Sequence, residues 1–335
     1  TKHFFVRLFG LAGKVVILDE VHAYDTYMQT LLARLLTWLA ACGTSVVLLS
    51  ATLPAHTRRS LLAAYAAGRG LSDPGEPAAA YPRITWVTDE EVSAVHIDGA
   101  AVRSVALRPH AQDDEAWMSA LQDALQEGGC GAVIVNTVTR AQSVYRKLQA
   151  YFPAEELYLF HARYPFDDRM AREREVLARF GPGTADRPHR AVVVATQVIE
   201  QSLDLDFDLM VTDLAPVDLV FQRSGRLWRH HRQWRPPNLA EPTLWLLMPP
   251  VDEQGVPRFD PGSSRVYDPH TLLRSWLALS REEHLQIPDR LEALVEAVYR
   301  PADPPEDLPE PLQAFWRRSR SQLEEEEARD RQQAR

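Results

Sequence analysis

Cysteine is scarce, with only Cys42 and Cys130 present. Two thiols cannot build a disulfide framework or complete a zinc site, which fits a reducing cytoplasm. Lysine is nearly absent as well, at Lys2, Lys14 and Lys147, so arginine carries the positive charge. No apolar run approaches the roughly 20 residues of a membrane span, because Arg34 interrupts the longest stretch. The first residues show no n-region, apolar h-region and cleavage site, so secretion is not expected. The net charge of −9 excludes a generic electrostatic grip on nucleic acid but leaves room for a localised groove. A P-loop, G-x-x-x-x-G-K-[ST], is missing too. The only Gly-Lys pair is Gly13-Lys14, which has Leu8 at the first glycine position and leads into a strand.

What remains is ordinary for a globular chain: 335 residues, 45% hydrophobic and 25% charged, long enough for two domains. The chain opens at Thr1 and reaches a strand pattern almost at once, which reads as a start inside a domain. Val15 to Leu18 predicts a buried parallel strand, and Ser45 to Leu49 a second. Helical spacing over Tyr27 to Leu39 and Arg58 to Ala67 follows each. Gly68 to Pro82 reads as a loop. Ile84–Val87, Ala94–Ile97 and Val102–Leu107 are short strand-like pieces. A second alternating series then runs to a closing strand at Thr243–Met248. Strand and helix in alternation predict an α/β fold with parallel sheets. Beyond Pro249 the sequence is Pro-rich with three helical stretches. The run Glu324 to Glu327 reads as a solvated helix face.

Four groups carry chemistry. Asp19-Glu20-Val21-His22 follows the first strand, and strand C-terminal ends face the ligand crevice of parallel sheets. There Asp19 suits a magnesium ion and Glu20 suits a general base. Alone, the acidic pair is equally a helix cap. Ser50-Ala51-Thr52 ends the second strand; taken alone it is a turn, but beside the first motif it reads as a coupling element. Thr196 to Asp204 places small hydroxyl and amide groups at a strand end, which suits a phosphodiester backbone. Gln222-Arg223-Ser224-Gly225-Arg226 sets two arginines three apart on a helix, able to fork onto a phosphate tail. The continuation from Leu227 to Arg232 reads as a bland basic patch.

In this order the groups resemble the DExH-box helicases of superfamily 2, with Val133 to Val138 and Arg140 as a further motif. The flanks VVILDEVHAYD (Val15 to Asp25), Phe160-His161-Ala162-Arg163, ATQVIEQSLDLD (Ala195 to Asp206) and QRSGRLWRHH (Gln222 to His231) resemble the CRISPR-associated helicase–nucleases of type I systems, the I-E branch in particular. The resemblance implies two RecA-like parallel-sheet lobes, the first incomplete, plus a partly helical C-terminal extension. Its expected boundaries are 1–82 for the end of the first lobe, 83–112 for inter-lobe strands, 113–250 for the second lobe and 251–335 for the extension.

It also implies an ATP-dependent DNA helicase. Asp19 would order Mg²⁺ through water, and Glu20 would activate the attacking water. His22, Ser50 and Thr52 would couple nucleotide to DNA. Gln222, Arg223 and Arg226, with Asp204, would bind the nucleotide, while Thr137, Thr196 and Gln197 would touch DNA. Expected cofactors are ATP and Mg²⁺. Expected partners are single-stranded DNA, the Cascade surveillance complex and a segment carrying the P-loop and nuclease domain; no membrane is expected. Without a P-loop, this chain alone is expected to be inactive as an ATPase. Two alternatives stand beside this reading: a non-catalytic module that binds single-stranded DNA or Cascade, and a different DExH-box helicase.

Overall fold

The computed structural model of the chain describes residues 4–72, 75, 77–99, 101–183, 185–200 and 203–334. Gln201 and Ser202, in the third motif, lie outside the described residues. The chain divides into two compact units. One comprises Thr1–Val102, Pro288–Pro304 and Arg317–Arg335, the other Arg103–Ile287 and Pro305–Trp316.

The first unit begins with α1 (Phe4–Leu11), a helix not foreseen from the sequence, and β1 (Val15–Leu18). Then come α2 (Thr26–Ala41), β2 (Ser45–Leu48) and α3 (Ala55–Gly68). The Asp25 carboxylate starts α2 by accepting from the Met28 amide at 2.8 Å. β1 and β2 pair in parallel, with Val15 opposite Ser45 and Leu18 opposite Leu48. Leu32, Leu36 and Leu61 of α2 and α3 form a core with Val21, against which Leu18, Val46 and Leu48 pack. The expectation of a buried first strand needs correction. Side chains alternate across a strand, and Val15 and Ile17 are exposed on the face that these helices do not cover. β3 (Arg83–Val87) and β4 (Val92–His96) then form a separate antiparallel hairpin.

The second unit opens with β5 (Arg103–Ala111), α4 (Asp114–Ala124), β6 (Gly129–Ile134), α5 (Val138–Leu148), β7 (Leu157–Phe160) and α6 (Phe166–Phe180). It continues with β8 (Arg190–Ala195), β9 (Leu209–Asp213), α7 (Val217–Ser224), β10 (Thr243–Met248), α8 (Ser263–Val266), α9 (Pro269–Leu279) and β11 (His284–Ile287). Its seven strands run β11-β5-β10-β9-β6-β8-β7. All pairings are parallel except β11 with β5. This is the expected α/β architecture with a mostly parallel sheet. All six residues of β6 are buried, as a strand covered on both faces requires. Trp117, Leu121, Val144 and Leu148 from α4 and α5 close over Val133, Val192, Val194 and Val211. Gly128, at φ +115°, turns the chain into β6 where a Cβ would lie 2.4 Å from the His189 ring.

Two expected boundaries differ from the structure. Segment 103–111, placed among inter-lobe strands, is β5 of the seven-stranded sheet. Segment 251–335 is no separate body: its residues through Ile287 belong to the second unit, and β11 adds an edge strand. α10 (Leu291–Tyr299) belongs to the first unit, and α11 (Glu310–Gln333) contributes to both. Short elements amid prolines give little periodicity to read. In α11, pairs Arg320–Glu324 and Glu327–Arg331 four residues apart support a solvated face.

Cys130 lies in β6 with no exposed surface, and burial pushes its thiol up to about 12. At pH 8 only about one Cys130 in 10⁴ is then thiolate, the reactive form. Alkylation of the native protein, followed by peptide mass spectrometry, should modify half-buried Cys42 at least about 100-fold faster than Cys130. Equal rates would contradict this packing.

Candidate nucleotide and nucleic-acid site

In the first unit the parallel pairing of β1 and β2 sends both strand ends to one edge. Asp19 and Glu20 leave β1 there, and Ser50 to Thr52 leave β2. Glu20 adopts left-handed backbone angles, φ 53° and ψ 40°, which are uncommon for a residue with a Cβ. Such strain concentrates at functional sites. The turn lets the Glu20 amide donate to Asp19 Oδ1 at 2.9 Å. His22 Nε2 lies 3.3 Å from Glu20 Oε2, and His22 Nδ1 lies 3.0 Å from Ser50 Oγ. The His22 ring thus stands within charge range of the Glu20 carboxylate and shares one hydrogen bond with the Ser50 hydroxyl, whose direction follows the ring's tautomer. The His22 side chain is nearly fully buried, while Glu20 is more than half exposed. The imidazole therefore ties an accessible carboxylate to the β2 turn. Thr52 is buried, and its Oγ1 has no hydrogen-bond partner among the described residues. Asp19 is exposed. One carboxylate with an open side suits Mg²⁺, which keeps several waters and takes few protein ligands.

In the second unit the register Ile134–Ala195 aligns the ends of β6 and β8. Asn136, Thr137, Thr196 and Gln197 follow on one edge. Thr137 caps α5, accepting from the Arg140 amide at 3.2 Å, and its O–H remains a donor. Thr196 is only 3% exposed, so it lies beneath the surface expected for a DNA contact. The Gln197 amide donates to Asn136 O at 2.8 Å and to Tyr267 Oη at 3.1 Å.

Arg223 is not placed as expected. It is fully buried. Its Nε donates to Glu200 Oε1 at 2.6 Å, Nη1 to Thr212 Oγ1 and Asp213 O, and Nη2 to Asn136 Oδ1 and Tyr267 Oη. A guanidinium has five N–H donors, and these five bonds occupy them. Arg223 is a core hub, and it cannot fork onto a phosphate without breaking that set. Burial pushes the Glu200 carboxyl above the ordinary range, against the pull of Arg223. Gln222 is half-buried on the same helix. Arg226 is half-buried and donates from Nη2 to the Glu200 carbonyl at 2.7 Å. Asp204, expected at the nucleotide, instead accepts from Arg229 Nε at 2.6 Å and lies 2.9 Å from His230 Nε2. Arg229 was missed. The spacing of three that singled out Arg223 and Arg226 recurs in Arg226 and Arg229, and Arg229 is the exposed one.

The basic run after Arg226 does not form a bland surface patch. Arg187, Arg232 and Arg235 converge on buried Asp206, and Arg187 and Arg235 also pair with Asp208. The Arg229 amide donates to Asp206 Oδ1 at 2.7 Å. Phe207 N donates to Arg226 O at 2.9 Å, and Trp228 N to Phe207 O at 2.9 Å. The acidic segment thus clamps the chain that leaves α7. Burial raises the Asp206 carboxyl, but Arg232, Arg235 and Arg187 outweigh it and hold Asp206 below the usual carboxylate range. Among the described residues no group of three or more His, Cys, Asp or Glu side chains converges as a metal site.

Removing one partner of a buried ionic set costs about 3–5 kcal/mol, so Asp206→Asn should destabilise the chain by about 3 kcal/mol at pH 7. A depressed folded pKa contributes stability above the unfolded value of about 3.9 and loses it as pH falls through the folded one. Urea unfolding should therefore show the gap between wild type and variant shrinking below about pH 4. A constant gap from pH 7 to pH 3 would refute this assignment.

Residues 127–232 match the family described as CRISPR-associated nuclease/helicase Cas3, C-terminal. The CRISPR-associated endonuclease/helicase Cas3 of Thermus thermophilus is 43% identical over the whole chain, which covers 40% of that protein. A crystal structure of T. fusca Cas3 with ADP superposes with a TM-score of 0.87 at 35% identity, over 98% of this chain and 39% of that one. A CRISPR RNA-guided surveillance complex in a pre-nicking state contains a chain similar at TM-score 0.84 and 35% identity, over 98% and 41%. The chain thus spans about two fifths of the length of these relatives. With the acidic strand end, the β2 turn, Arg223 on α7 and Arg226 just past that helix rather than on it, placed as described, the chain belongs to the Cas3 family of CRISPR-associated helicase–nucleases.

Proposed function

We propose that these residues serve an ATP-driven, Mg²⁺-dependent DNA helicase that acts on foreign DNA in a type I-E CRISPR system, in the cytoplasm. The observation that carries the reading is the Glu20–His22–Ser50 chain in the first unit. It holds an exposed carboxylate at a strand end and links it to a neighbouring turn, as a water-activating base coupled to a second element requires. Similar T. fusca structures hold ADP, AMPPNP and ATP, which supports a nucleotide substrate.

In this reading Asp19 is the residue that would hold Mg²⁺ through water, and such an ion would supply charge neutralisation at the phosphates. Glu20 takes the proton of the attacking water, oriented by His22. Ser50, and Thr52 with its buried hydroxyl, relay the state of Glu20 to the β2 turn. Arg226, with Gln222 beside it, meets the phosphate charge. Thr137 and the turn at Thr196 and Gln197 line the strand-end edge for the backbone of single-stranded DNA. Burial of Thr196 leaves it a supporting part in that contact. The likeness to a chain within a surveillance complex supports recruitment by Cascade. The sequence contains no P-loop segment, and this favours a second reading for the isolated chain: a single-stranded-DNA or Cascade-binding module without turnover.

ATPase assays with and without single-stranded DNA test both readings. The chain alone should show no turnover, because phosphate positioning needs the P-loop amides and lysine. Joined to the P-loop portion of a close relative, it should hydrolyse ATP in the presence of DNA. Glu20→Gln should then lower turnover about 10²-fold or more, with nucleotide affinity nearly unchanged. Unchanged turnover in Glu20→Gln would remove Glu20 as the base.

A further inference from the structure

The stretch beyond β10 carries no helicase motif, yet it returns to the strand-end edge. Asp260 Oδ2 accepts from the Gly262 and Ser263 amides at 2.9 and 3.1 Å and turns the chain into α8. Gly262 sits so close to Thr137 that a Cβ would lie 3.0 Å from Thr137 Cγ2. Ser263 Oγ accepts from Asn136 Nδ2 at 3.1 Å. At the end of α8, half-buried Tyr267 sends its hydroxyl to two groups at once. Gln197 Nε2 donates to it at 3.1 Å and Arg223 Nη2 at 3.3 Å. A phenol oxygen can accept both bonds. Burial raises the phenol above its ordinary range against the pull of Arg223, so it is a neutral hydroxyl at pH 7.

The two partners belong to different parts of the site. Gln197 is on the β8 turn that faces DNA in the proposed reading. Arg223 is on α7, Arg226 lies just past the end of that helix, and both arginines hold Glu200. Tyr267 therefore adds a second bridge between the DNA turn and α7, beside the direct Glu200–Arg223 pair, and this bridge comes from a segment outside both motifs. We infer that Tyr267 is a positioning residue: its hydroxyl, together with Asn136 O, holds both donors of the Gln197 side-chain amide and so fixes the β8 turn in the conformation whose edge takes a single-stranded DNA phosphate. The inference rests on the proposed DNA-binding role of that edge. It assigns a specific duty to residues 260–267, which the sequence pattern left as Pro-rich extension.

The test uses this chain and a fluorescein-labelled oligo(dT), with fluorescence anisotropy as the readout. Temperature is held well below the melting transitions of all variants, so every protein measured is folded. Tyr267→Phe removes one oxygen and keeps the ring. It should weaken binding about five-fold, the effect of one ordinary hydrogen bond. Gln197→Ala should weaken binding to a similar degree, and the double variant should be no weaker than Gln197→Ala alone. This non-additivity is the sign that Tyr267 acts through Gln197, because a general loss of packing would add to the Gln197 effect. Unchanged binding in Tyr267→Phe, or additive losses in the double variant, would overturn the inference while leaving the DNA-binding reading intact. No binding of oligo(dT) by the wild-type chain would overturn both.

Discussion

A buried guanidinium needs every donor satisfied, and Arg223 meets that demand by drawing five partners to one point. Asn136 comes from the end of β6, Glu200 from the turn after β8, Thr212 and Asp213 from β9, and Tyr267 from the end of α8. The strand-end turns, the arginine helix and the returning C-terminal segment all depend on that one charge. Breaking one bond leaves a charged donor exposed to a dry core, and the cost far exceeds that of losing a surface contact. The arrangement therefore makes the edge a single rigid element. Thr137, Gln197 and Arg226 are held in fixed mutual geometry, although none of them is itself the hub.

A second ionic set performs a related task one step along the chain. Asp206 and Asp208 gather Arg187, Arg232 and Arg235, and Asp206 also accepts the Arg229 amide. The exit from α7 is thereby fixed over the β9 entrance, and the exposed Arg229 is held by its backbone. Arginine suits both sets because its fork satisfies several acceptors and stays charged when buried, whereas an ammonium shifts its pKa readily. The near absence of lysine, at three positions only, is consistent with this use of arginine.

The first unit works differently. Its parallel pair carries the acidic strand end on strained backbone at Glu20, and one imidazole ties that carboxylate to the β2 turn. The two carboxylates there are exposed, while the imidazole beside them is buried. Glu20 can thus meet solvent water and still keep a defined direction.

Much of this was legible from local sequence. Strand ends, helix spacing and the α/β class follow from periodicity, since neighbours along the chain decide which face is apolar. That the first two motifs end successive strands was readable, but the contact of His22 with Ser50 was not. What local sequence could not decide is which side chains the finished fold covers. Arg223, Arg226 and Arg229 are equivalent in charge and spacing, yet one is sealed in the core, one is half-buried and one faces solvent. That difference comes from partners such as Asn136, 87 residues away. The same holds for β11, whose pairing with β5 joins segments about 180 residues apart, and for Tyr267. Periodicity reports the preference of a segment for a face. Burial and partnership depend on which distant segments meet there, and only the tertiary structure decides that.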